Sequence, residues 1–200
     1  MNLRVESRNL DAVVLPAEPG LVTTLFRGAA IVLAGTVLIA ASAHMSIPLV
    51  FTPVPVTLQP FAVLLLGLLL SPRLAFATMV TYLIEGAAGL PVFTPSGPGG
   101  LWQLFGLTGG YLLSYPVVAP LISAWWRRGA KTFSRGLLVA GVGSLVTLAM
   151  GATWLGALTH IGPLALMNHA ILPFIPGDVL KVVAAAGIAT GLARWRRYQG

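Results

Sequence analysis

A chain of 200 residues in which 56% are hydrophobic and only 8% charged is not an ordinary water-soluble domain: those carry about 25% charged residues, and a surface this apolar would aggregate. With a mean hydropathy of +0.89, its natural solvent is lipid. The formal charge of +7 lies in short Lys/Arg clusters between apolar runs, not in a stripe interleaved with aromatics, which argues against nucleic acid, and the absence of cysteine excludes disulfides, thiolate metal sites and a Cys nucleophile.

A membrane helix takes about 20 mostly apolar residues, with a range of about 17–25. In chain order, residues 1–20 read as a polar tail without a fold of its own, and 21–200 as a membrane domain. The first span covers 28–43, between Arg27 and a polar turn at 44–48. The second, 55–70, is separated from the third, 74–90, by the tight turn Ser71-Pro72-Arg73. The fourth, 104–126, ends at a basic loop that runs to Arg135. The fifth covers 136–159, and the sixth, 178–193, follows Pro173 and Pro176. The connections 86–100 and 160–177 are rich in Gly and Pro and read as loops folded over one end of the bundle. Short or Gly/Pro-broken spans are tolerated where the freed backbone faces protein or a cavity.

Loop charge sets the orientation. Arg4, Arg8 and Arg27 precede the first span, Arg73 sits in the second connection, and Arg127, Arg128, Lys131 and Arg135 fill the fourth. Arg194, Arg196 and Arg197 follow the last span, and the first, third and fifth connections hold no Lys or Arg. Every basic residue except Lys181 therefore falls on one side, the cytoplasm by the positive-inside rule. The fold class expected is an all-α integral membrane protein of six transmembrane helices with both termini cytoplasmic, in the cell membrane. A competing reading makes 1–43 a cleaved leader ending at Ala41-Ser42-Ala43. Against it, the apolar run exceeds a usual signal core, and Glu6, Asp11 and Glu18 make the flank acidic.

With the loops accounted for, Glu85, Asp178 and Lys181 are the ionisable acid or base groups left inside spans. Such a group costs about 2.5–3.5 kcal/mol or more at the bilayer centre, so it usually faces a cavity and serves function. All three map near the outward end, and Asp178 and Lys181, three apart, share a helical face. Structural readings stand beside this one: Asp178 as an N-cap after Pro176-Gly177, Lys181 as a snorkelling charge, Glu85 as an interfacial cap. Catalysis has little support. Ser144 lies mid-span in a Gly-rich helix, where small polar residues mediate helix contact, and His160 and His169 sit in a loop with no motif joining them to a nucleophile. The chain has neither HExxH nor GxxxxGK, so no metal site, no cofactor of its own and no ATP hydrolysis are expected.

Several strings nevertheless stand in one register: Val54-Pro55-Val56-Thr57-Leu58-Gln59, the run from Tyr82-Leu83-Ile84-Glu85-Gly86 to Pro91-Val92-Phe93, Gly99-Gly100, Thr108-Gly109-Gly110-Tyr111-Leu112, and Pro176-Gly177-Asp178-Val179-Leu180-Lys181. Together they resemble the BioY family, the biotin-specific S component of energy-coupling factor transporters, over about 25–195. The resemblance implies a six-helix bundle that holds biotin at its outer end. It also implies a transmembrane coupling partner, which would meet a small-residue stripe at Ala30 and Ala34, and a pair of ATP-binding-cassette subunits that hydrolyse ATP. Thr94-Pro95-Ser96-Gly97 and Gly106-Leu107-Thr108 depart from the family pattern in the loops over the pocket.

The binding residues so expected are Asp178, Lys181, Gln59, Tyr82, Glu85, Phe93, Gly99, Gly100 and Tyr111. The chemistry agrees: biotin's ureido ring offers two N–H donors and a carbonyl acceptor, which suit an Asp acceptor, a Lys donor and a Gln amide. Its apolar parts suit Tyr82, Phe93 and Tyr111. For the valerate carboxylate, backbone N–H groups or water are the expected partners. The alternatives are an S component for thiamine or riboflavin, and an autonomous proton-coupled transporter using Glu85 and Asp178.

Overall fold

The computed structural model describes residues 20–199; the polar tail, apart from Gly20, lies outside the described residues. Helix α1 (Leu21–His44) leads into two short strands, β1 (Ser46–Ile47) and β2 (Val56–Thr57), then α2 (Gln59–Leu69) and α3 (Pro72–Ala87). After these come α4 (Gly100–Phe105), α5 (Gly109–Arg127), α6 (Phe133–Thr159), α7 (Pro163–Ala170) and α8 (Ile175–Tyr198). Among the described residues, three stretches are long and apolar enough to cross a membrane: Val22–His44, Phe133–Thr159 and Ile175–Tyr198.

Local chemistry explains most boundaries. Pro60 and Pro72 stand in the first turns of α2 and α3, where a missing N–H costs nothing. Ser71 caps α3 by accepting the Leu74 N–H at 3.4 Å, and Thr132 caps α6 by accepting the Arg135 N–H at 3.4 Å. Arg27 does not delimit α1 as expected from the sequence: arginine is a good helix former, its side chain is exposed, and the helix begins at Leu21.

Several expected boundaries need correction. The all-α class omits a two-stranded antiparallel ribbon in which Ser46 pairs with Thr57 and Ile47 with Val56. That ribbon takes the first residues assigned to the second span, leaving a helix of 11 residues, about 16 Å long at 1.5 Å per residue. The span placed at 104–126 is two helices, because the chain is extended at Gly106 (φ −78°, ψ −172°) between α4 and α5. The third helix runs 72–87 rather than 74–90, and α6 begins three residues before 136. The loop placed at 160–177 contains α7 and the first turn of α8, so Asp178 is not an N-cap; Phe174 occupies that position.

Helix α2 is the centre of the bundle. Residues 62–68 are buried without a break, the pattern of a helix surrounded by protein on all sides. It packs against α1, α5, α6 and α8, while α3–α5, α5–α6 and α6–α8 contacts close the wall around it. The outside is apolar: Leu33, Val37, Leu121, Leu138, Leu145 and Val183 are all exposed.

The two ends differ in charge. Arg73, Arg127, Arg128, Lys131 and Arg135 cluster where α2–α3 and α5–α6 connect, and Arg194, Arg196 and Arg197 end α8 at that same side. There the Lys131 ammonium donates to the Trp126 carbonyl and lies 4.6 Å from the Trp126 ring centre. Partial burial, together with Arg127 and Arg135, pulls its pKa below the ordinary lysine range. The opposite end carries the ribbon, α4 and α7, with no Lys or Arg among its connecting segments.

Candidate functional site

At the end opposite the arginine cluster lies a narrow cavity, open on one side and lined by both polar and apolar side chains, the mixture typical of small-molecule sites. The ribbon and α2 supply Val54, Pro55, Thr57, Gln59 and Pro60; α5 supplies Thr108, Tyr111, Leu112 and Tyr115. Thr147 and Leu148 come from α6, Phe174, Asp178 and Lys181 from the α8 segment, and Thr94 and Gln103 from the α3–α4 connection and α4.

The strongest feature is an ion pair on the first turns of α8. Lys181 Nζ donates to Asp178 Oδ1 at 2.8 Å, and Ser144 Oγ donates to Asp178 Oδ2 at 3.0 Å. Both charged residues are buried, at 7% and 6% exposed. The i,i+3 spacing on α8 makes the pair, and the first-turn position suits the carboxylate because helix N-termini favour negative charge. Asp178 can accept further hydrogen bonds, and Lys181 has two more N–H donors for a polar ligand.

Gln59 is set from behind. Its Nε2 donates to the Tyr82 hydroxyl at 2.7 Å, and Tyr82 donates in turn to the Val92 carbonyl at 2.9 Å. Phe93 meets Tyr82 edge-on, with ring centres 5.4 Å apart. Gly86 makes room for this packing: a Cβ there would lie 2.0 Å from the Phe93 ring. Tyr111 lines the cavity and donates to the Ala170 carbonyl at 2.9 Å, tying α5 to α7.

Of the residues expected from the sequence, Asp178, Lys181, Gln59 and Tyr111 converge on the cavity, whereas Tyr82, Glu85, Phe93, Gly99 and Gly100 do not line it. Tyr82 and Phe93 support Gln59 from the interior. Glu85 faces α1 instead, accepting from Thr36 Oγ1 at 3.2 Å. Gly99 and Gly100 adopt positive φ (71° and 57°) to turn the chain into α4. The Gly99 N–H donates to Gln103 Oε1 at 3.0 Å, so the glycines act on the cavity through Gln103. Ser144, read as a helix-contact residue, orients Asp178. His169 and Thr52 join the ribbon loop to α7, through His169 Nδ1 to the Phe51 carbonyl at 2.7 Å and Thr52 Oγ1 to the His169 carbonyl at 2.6 Å.

The sequence-family model described as "BioY family" matches residues 15–198. This chain belongs to the BioY family. Among curated relatives, the biotin transporter BioY of Thermotoga maritima is 36% identical over 160 residues, spanning 80% of this chain and 91% of that protein. The probable biotin transporter BioY of Pyrococcus horikoshii is 36% identical over 140 residues, spanning 70% and 81%. A crystal structure of the S component for biotin from an ECF-type ABC transporter superposes with a TM-score of 0.78 at 25% identity, covering 86% of this chain and 93% of that one.

For this BioY family member the departures from the family strings become structural facts. Thr94 opens the first departing segment and lines the cavity; in the second, Leu107 is the residue that departs and does not line it, while its neighbour Thr108 does. Gln103, Thr147, Tyr115 and Phe174 also line it and were not singled out by sequence. None of these carries a charge, so neither composition nor hydropathy distinguishes them from ordinary interior residues.

Proposed function

We propose that this chain is the biotin-capture subunit of an energy-coupling-factor-type importer in the cell membrane, a transport component and not an enzyme. The observation that carries the reading is the buried Asp178–Lys181 pair facing a cavity in a BioY family fold. A ureido ring presents N–H donors and a carbonyl acceptor on adjacent edges, and the pair offers the complementary acceptor and donor, with Gln59 beside them. Tyr111, Tyr115 and Phe174 supply apolar walls for the ring sulfur and aliphatic chain. No resident cofactor or metal is part of this reading.

In the membrane we place α1, α2, α3, α5, α6 and α8 as six spans, with the arginine-rich end and both termini in the cytoplasm. The central position of α2 supports counting so short a helix, since protein rather than lipid surrounds it. Ala30 and Ala34 are exposed on one face of α1, and small residues four apart permit close helix approach. That face would receive the transmembrane coupling protein, with ATP hydrolysed by separate cytoplasmic subunits. Glu85 is bonded to Thr36 and Asp178 to Ser144 and Lys181, so among the described residues no hydrogen bond links the two acids as a proton relay through them would need.

Uptake tests this reading. A bacterial strain that cannot make biotin should take up labelled biotin when this chain is co-expressed with a coupling module, and should lose that uptake with Asp178→Asn. Uptake of thiamine or riboflavin in place of biotin would overturn it.

A further inference from the structure

The polar wall opposite α8 is built from uncharged groups. Thr94, at 6% exposed, lines the cavity, and its Oγ1 has no hydrogen-bond partner. A buried hydroxyl without a partner is unfavourable, so such a group in a binding cavity marks a place where a ligand atom completes it. Gln103, at 1% exposed, is pinned by its neighbour: Oε1 accepts from the Gly99 N–H at 3.0 Å, which turns Nε2 toward Thr108 Oγ1, 3.5 Å away. Because the Thr108 oxygen accepts there, its own proton is left to donate elsewhere, and the Gln103 amide keeps a second N–H.

Gln103 and Thr108 thus present donors whose oxygens already accept a bond, and Thr94 adds a hydroxyl free to donate. They also stand where the cavity meets an outer vestibule, which shares these three residues and Pro55 with it. Lys181 and Thr57 instead border a different groove, between the ribbon and α8. The cavity therefore has two polar walls of different character, an ion pair on α8 and a donor cluster at the mouth.

We infer that Thr94, Gln103 and Thr108 form a second subsite, which takes the carboxylate of the captured ligand through neutral donors. A carboxylate only accepts hydrogen bonds and does so more strongly than a neutral oxygen, so a donor cluster without a cation suffices to orient it. This assignment rests on the biotin reading: with the ureido ring on the Asp178–Lys181 wall, the valerate end points to the mouth. It replaces the backbone and water partners that sequence alone led us to expect.

The test pairs protein and ligand changes in binding measurements on purified, monodisperse protein. Thr94→Val keeps the shape and removes the hydroxyl. It should weaken biotin about 10- to 150-fold, the range for a hydrogen bond to a charged group, and weaken biotin methyl ester by a clearly smaller factor. Thr94→Ser should stay near the unaltered protein. If Thr94→Val does not yield monodisperse protein, Thr108→Val is judged by the same two ligands. Equal losses for biotin and its ester, or no loss for biotin, overturn the subsite. If Thr94→Val is silent while Asp178→Asn weakens biotin, the subsite falls and the capture reading stands; if the unaltered protein binds no biotin, both fall.

Discussion

Replacing Asp178 by Asn keeps the side-chain volume and removes the charge that Lys181 meets at 2.8 Å and Ser144 at 3.0 Å. Two costs follow. Lys181, at 6% exposed, is left as a buried charge without its partner, a change that destabilises by about 3–5 kcal/mol. A charged acceptor for the ureido N–H is also lost, about 1.5–3 kcal/mol of binding or roughly 10- to 150-fold in Kd. A thermal-shift assay read with and without biotin separates them. At biotin equal to 100 times the unaltered Kd, ligand stabilisation is about 2.7 kcal/mol, and after a 100-fold loss of affinity it falls to about 0.4 kcal/mol. The ligand-free melting temperature falls for the first cost, and the biotin-induced rise shrinks for the second. Lys181→Met should do the same, and because the two groups are coupled, the double variant should lose less than the sum. A lowered ligand-free melting temperature with an undiminished biotin-induced rise in both single variants would refute the role of this pair in binding and leave it a structural ion pair.

Tyr82→Phe removes the hydroxyl that accepts from Gln59 and donates to the Val92 carbonyl; it should cost about 1–3 kcal/mol of stability and weaken biotin through Gln59, seen by parallel melting and binding measurements. Cysteines introduced into the cysteine-free chain at Ser96 and Gly162 should react with an impermeant thiol reagent from outside, and one at Ala130 only after permeabilisation. Ser96 is preferred to Gly97, where a Cβ would lie 2.1 Å from the Gln103 side chain. Ala30→Leu with Ala34→Leu should block co-purification with the transmembrane coupling protein and leave biotin binding by the solitary chain intact.

What sequence made legible follows the physics of scarcity. In a chain with 8% charged residues, Asp178 and Lys181 stand out because lipid penalises them, and both line the cavity. The same logic failed for Glu85, since a carboxyl group can equally be satisfied by one hydroxyl, Thr36, across a helix contact. The two-residue strands at 46–47 and 56–57 are too short for a period-2 pattern, so their residues read as a turn and the start of a helix. The break at 106–108 is invisible to hydropathy, because the flanking segments stay apolar. Thr94, Gln103 and Thr108 are ordinary uncharged residues whose importance comes from position: Gln103 matters because Gly99 and Gly100 turn the chain so that a backbone N–H fixes its amide.

Capture of biotin by this chain alone is measured directly by equilibrium binding of labelled biotin to the purified protein in lipid nanodiscs. Saturable, stoichiometric binding is predicted, unaffected by excess thiamine or riboflavin and weakened about 10- to 150-fold by Asp178→Asn. Absence of saturable binding, or displacement of biotin by either of the other vitamins, would contradict it.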